Sequence, residues 1–242
     1  MSALPTRKDE AWRYSDLAAV ARHWPVAVEP VVVPAGESEA DIIRASNEGI
    51  RHLAITIGAG GAYRLTILDS GRTYGRIALD VTLHDGADFH LGAILIGRGA
   101  QTIELVTTVR HVGPGATSRQ IVRAVAGGTA TTSYLGQVAV ARTGQKTDAS
   151  QSFKAILLNR GATANAKPEL EIFADDVKCA HGAAIGEIDN NALFYMTSRG
   201  VPPEQARALL TRAFQSDALE GLDEATTEAL DTEITALLET AA

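Results

Sequence analysis

The chain has 242 residues, of which 45% are hydrophobic and 21% charged, with a net charge of −7 and one cysteine. That length allows a sizeable core, and the apolar-to-charged balance excludes a disordered chain. A single cysteine excludes an internal disulfide framework and agrees with a reducing, cytoplasmic setting.

Residues 1–50 read as an N-terminal segment of short helical and irregular pieces. The opening is polar from residue 6 on and lacks an apolar h-region, so no secretory signal is expected. No apolar run approaches the roughly 20 residues that span a bilayer, so no membrane partner is expected. "RKDEAWRYSDLAAVA" has acids early and apolar Trp12, Leu17, Ala18 and Val20, which predicts a short helix. "PVAVEPVVVP" reads as an extended linker.

Residues 51–200 carry the core. Short runs rich in Val, Ile, Leu and Thr recur from "HLAITI", "YRLTIL" and "RIALDVTL" through "AILIG", "QTIELVTTV" and "RQIVRAVA" to "GQVAVA", "FKAILL", "ELEIF" and "DVKC". Gly, Asn, Asp and Pro turns separate them, and no long amphipathic helix intervenes. So many short strands suit a sandwich, a barrel or a solenoid of stacked rungs. Hairpin signals are scarce, with Asp85-Gly86 the one candidate, while Gly-Ala pairs repeatedly follow strands. The pattern leans to an all-β parallel solenoid without excluding a sandwich, because the spacing is irregular.

Residues 201–242 read as a C-terminal helical region. A helix over 202–218 starts on prolines and puts Ala206, Leu209, Leu210, Ala213 and Phe214 on one face. A second, over 223–240, aligns Leu230, Ile234, Leu237 and Leu238. From Glu204 onward nine acids stand against Arg207 and Arg212, which accounts for the whole net charge. A neutral body with an acidic end argues against nucleic acid as the partner. The acidic face is either simply solvated or a docking surface.

The chemistry-bearing residues are few. "ITIGAGGA" (55–62) is Gly-rich after a strand, but no helix and no ribose-binding acid follow, so a rung corner is the better reading. No GxxxxGK[ST] run exists, so ATP hydrolysis is not expected of this chain. His84, His90, Ser118 and Asp148 lack the context of a catalytic triad, and His111 reads as a structural histidine. The richest stretch is "DDVKCAHGAAIG", residues 175–186. In a strand, Cys179 and His181 share a face with Val177 and Asp175, opposite Asp176, Lys178 and Ala180. Facing inward, Cys179 is a small hydrophobe, whereas His181 needs hydrogen-bond partners. Facing outward, thiol and imidazole stand ready to join ligands from another chain. Cys-x-His alone is weak evidence for metal.

The order "KTDA.Q", "ILL", "P.LEI.ADDVKCAHGA", "LFY", "SRGV" over residues 101–218 resembles the SufB/SufD family of the SUF iron–sulfur cluster assembly system, and "KC.HGA" is most similar to its SufD branch. "RKDEAWRYSDL" is similar to the opening motif of that branch, and the chain resembles a shortened member. The resemblance implies a right-handed parallel β-helix with helical ends. It implies a non-catalytic scaffold that pairs with a SufB-like partner through its last rungs and docks a SufC-like ATPase on its C-terminal helices. It places His181 and Cys179 as candidate metal- and cluster-binding residues at the heterodimer interface. A cluster usually takes about four ligands, so one cysteine implies a transient cluster shared with the partner; a flavin is left open. The alternatives are a homodimeric β-helix without a cluster role, or a carbohydrate-active enzyme. The latter needs paired carboxylates on one outer face, which Asp175 and Asp176 do not share.

Overall fold

The computed structural model describes residues 3–70 and 73–239. Twelve strands wind alternately through two parallel sheets. One sheet stacks β1 (Val28–Val33), β3 (Gly49–Ile57), β5 (Tyr74–Leu83), β7 (Thr102–His111), β9 (Thr131–Val140) and β11 (Thr163–Ile172) in that order. The other stacks β2 (Ser38–Ala45), β4 (Ala62–Ser70), β6 (Asp88–Gly97), β8 (Thr117–Ala126), β10 (Asp148–Leu157) and β12 (Lys178–Gly186). Every pairing is parallel and in continuous register. The molecule is therefore a parallel β-helix. The antiparallel sandwich is ruled out because every strand pairs in parallel with the next but one in sequence.

Nine of the ten runs read from the sequence lie in strands. Of "DVKC" only Lys178 and Cys179 do, and Asp175, Asp176 and Val177 form the bend before the last strand rather than sharing its faces. Residues 28–45, read as linker and irregular segment, are instead β1 and β2, the first rung. The alternation was there, but Pro30 and a run of exposed polar residues hide it; β1 tolerates the proline as an edge strand. The expected N-terminal helix is split into a 3-10 turn, Glu10–Trp12, and α1, Leu17–Arg22. Asp16 causes the break: its carboxylate accepts from the Ala18 and Ala19 amides and caps α1.

One corner shows why glycine recurs. Gly36, Gly60, Gly86, Gly115 and Lys146 stack there with φ of +73°, +64°, +63°, +69° and +65°. Each donates its amide N–H to a carbonyl of the next rung, at Ala59, Asp85, Pro114, Gln145 and Asp176. Left-handed φ is easy for glycine and strained for lysine. The "ITIGAGGA" stretch makes this corner, between β3 and β4.

The interior is filled by alternate residues such as Leu53, Leu65, Leu79, Leu91, Phe89 and Phe153, all at most 3% exposed. Strands β4, β6 and β8 are apolar on their outer face too, because the C-terminal helices cover it. Leu68, Ile94, Ile96, Ile121 and Val125 pack there against Ala218, Leu219, Leu230, Ile234 and Leu238. These belong to the 3-10 turn Ser216–Leu219 and to a helix, Glu224–Glu239. Each Leu, Ile or Val among them, fully buried, contributes about 1.5–3 kcal/mol. Approach is so close at Gly92 that a β-carbon would lie 2.0 Å from the Ala218 carbonyl oxygen. Arg123, 3% exposed, fixes the same turn through Asp217, at 2.9 and 2.5 Å.

Three helices follow the last strand: α2 (Asn190–Ser198), α3 (Pro203–Gln215) and α4 (Glu224–Glu239). The two read from sequence are α3 and α4. Helix α2 escaped notice because its "LFY" is not an apolar stripe facing a core; no residue of it is buried.

Candidate functional site at the open end of the solenoid

Strand β12 is the last rung of its sheet and pairs only with β10. Its register sets Cys179 beside Ala149, His181 beside Gln151, Ala183 beside Phe153 and Ile185 beside Ala155. Phe153 and Ala155 belong to the interior cluster, so Cys179 and His181 point inward. No rung follows, however, and the inner face of this one stays open. Eight of the nine β12 residues are exposed, His181 among them, and only Cys179 is half-buried. The inward and outward readings of the sequence therefore both fail in their simple forms: the pair faces the solenoid axis and is still accessible along it.

Cys179 packs against Val138, Val140, Ala149 and Ala174, with Leu170 and Val177 alongside. Burial, and secondarily the Asp148 carboxylate, push its thiol pKa up. In the chain alone it is a packed, protonated thiol rather than an activated nucleophile. Among the described residues, no three His, Cys, Asp or Glu side chains stand close enough to hold a metal ion. A metal at this end would need ligands from elsewhere. The last rung also exposes apolar side chains: Ile172 is 39% exposed, Phe173 59% and Ile185 45%. Beyond it, α2 exposes Phe194 and Tyr195 at 73% and 59%. Asp176 is paired with Lys146 and does not join the site.

The other sequence candidates separate. Ser118 is buried and hydrogen-bonded to His111 Nε2 at 2.9 Å. Asp148, one register position away, is exposed on the opposite face of its strand, so no triad forms. His111 is fully buried, and desolvation pushes its pKa down to about 4. Its neutral form is favoured by folding, so this contribution is complete above the unfolded value of 6.5 and is lost as pH falls towards about 4. Stability should decline by about 1.4 kcal/mol per pH unit in that window on this account. Denaturant titration of the chain and of His111→Gln should show the slope flattened in the variant.

Sequence reasoning missed two features. Thr107 Oγ1 donates to Gln120 Oε1 at 2.7 Å and lies 3.3 Å from the Tyr134 hydroxyl, a polar cluster within the solenoid. Its next register position is Gln151, beneath His181. Strand alternation marks Gln120 and Gln151 as inward, but nothing local says that a neighbour will oppose them. The second is a buried clamp. Arg76 Nη1 meets Glu104 at 2.6 Å, Nη2 donates to the Ala11 carbonyl at 2.8 Å, and the guanidinium lies 3.8 Å from the Trp12 ring centroid. It fastens the N-terminal "RKDEAWRYSDL" segment to β5 and β7.

Comparison with known proteins bears on this geometry. Residues 37–214 match the family model "SUF system FeS cluster assembly, SufBD core domain". The chain is 36% identical over 169 residues to Protein ABCI7, chloroplastic, of Arabidopsis thaliana, covering 67% of this chain and 34% of that one. It is 33% identical over 170 residues to an iron–sulfur cluster assembly SufBD family protein of Synechocystis, covering 69% and 37%. It is 36% identical over 105 residues to the iron–sulfur cluster assembly protein SufD of Escherichia coli, covering 43% and 25%. The matches thus span between a quarter and little more than a third of each relative. No helix of the described residues is long and apolar enough to cross a membrane.

Proposed function

The chain belongs to the SufBD core-domain family of the SUF system of iron–sulfur cluster assembly, and on that basis we propose that it is a non-catalytic, SufD-like scaffold subunit. It works with a SufB-like partner and a SufC-like ATPase. The carrying observation is the open last rung: Cys179 and His181 share one face at the end that exposes Ile172, Phe173 and Ile185, with no third ligand nearby among the described residues. A cluster built there is cargo, held by His181, with Cys179 beside it, and by ligands on the partner's chain. The unpaired edges of β11 and β12 and exposed Ile172, Phe173 and Ile185 suit a second β-helix seated end to end. Co-expression with SufB-like and SufC-like proteins tests the reading. A stoichiometric complex that accumulates cluster supports it. A chain that pairs only with itself and takes up no cluster supports the homodimer instead.

ATPase docking falls to α2 and the outer face of α3. Helix α4 spends its apolar stripe on the solenoid, so deleting residues 202–242 would strip a covered sheet face and unfold the end. Phe194, Tyr195 and Leu209 are exposed instead, at 73%, 59% and 41%. Phe194→Asp should weaken ATPase capture by roughly thirtyfold, the loss expected of an aromatic interface anchor. Its melting temperature should be unchanged. Normal ATPase capture with lost SufB pairing would assign this face to the other partner.

A further inference from the structure

Gln151 belongs to the "KTDASQ" stretch and is 3% exposed, yet neither its Oε1 nor its Nε2 has a hydrogen-bond partner. A buried amide left unpaired works against stability, so packing does not account for it. Its place in the register does. Gln120, Gln151 and His181 occupy one position on β8, β10 and β12, on strands about 4.8 Å apart and on one face. Gln120 is held from below by Thr107 and Tyr134. The column thus runs from Gln120, whose Oε1 is held while its Nε2 is unpaired, through Gln151, unpaired at both ends of its amide, to the exposed imidazole.

We propose that Gln151 is a positioning residue for His181. Its carbonyl accepts one ring N–H of His181, which turns the lone pair of the other ring nitrogen towards the open end. Metal-binding histidines generally hold their second nitrogen in such a bond, which fixes tautomer and ring direction. His181 is exposed and its strand already in register, so a side-chain rotation makes the contact without backbone movement. The role rests on the reading of His181 as a cluster ligand.

The full chain labelled with nitrogen-15 at histidine tests it by NMR at mildly alkaline pH. The His181 signals are those absent from His181→Ala. Wild type should show one dominant tautomer. Gln151→Leu should change the tautomer ratio by about fivefold, the loss of one net hydrogen bond. Gln151→Glu, which retains an acceptor, should keep the wild-type tautomer. Identical tautomer ratios in wild type and Gln151→Leu would overturn the proposal. Cluster assembly on the complex separates the two ideas. A shifted tautomer with full assembly in His181→Ala sinks the ligand role, while an unchanged tautomer with assembly lost in His181→Ala sinks only the positioning.

Discussion

Replacing His181 by alanine should lower cluster formation on the assembled complex by about 100-fold or more while leaving the chain folded. The magnitude follows because residues that merely orient a ligand already cost about 10–100-fold when removed, and His181 is read as the ligand itself. Folding should survive because the side chain is exposed on an edge strand, where substitutions stay within about 0.5 kcal/mol. Melting temperature, SufB-like pairing and iron content of the purified complex are the three readouts. Unchanged melting and pairing with lost iron supports the role. Full iron content, or iron lost in step with pairing, would reduce His181 to a surface or interface residue. Cys179→Ser should do less to assembly, because a half-buried thiol with a raised pKa gives up its proton reluctantly. Its cost should fall on packing against Ala149 and Val140.

Arg76→Leu should cost about 3–5 kcal/mol, the penalty for removing one partner of a buried ion pair. Arg76 and Glu104 are 2% and 1% exposed, and Ser15 Oγ also donates to Glu104 at 2.6 Å. Without the guanidinium, Glu104 keeps a buried charge answered by one hydroxyl, and Trp12 loses the cation over its ring. For a chain of this size the melting temperature should fall by about 10 °C. The damage should begin locally, so limited proteolysis should cut first within residues 3–22. Arg76→Leu/Glu104→Met removes both charges and should recover most of the loss. A double variant no better than Arg76→Leu would show that the clamp acts through Trp12 and the Ala11 carbonyl instead.

Much of this molecule is decided locally. Strands β3 to β12 can be read one by one because each alternates or runs apolar between turn residues, and α3 and α4 because their apolar positions recur at helical spacing. The motif around Cys179 and His181 is likewise legible, since residues two apart in a strand must share a face. What the chain alone leaves open is everything set by stacking. A strand's own residues do not say whether its neighbour in space is the next strand or the next but one, which is the difference between a sandwich and this solenoid. Pro30 masks the first rung, whose strand β1 pairs with β3 residues 24 positions further along the chain. Cys179 and His181 are inward and accessible at once only because the stack stops at β12. Arg76 and Gln151 look like ordinary polar residues in sequence. Tertiary structure buries the first against Glu104 and Trp12, and sets the second, with an unanswered amide, under the one histidine at the open end.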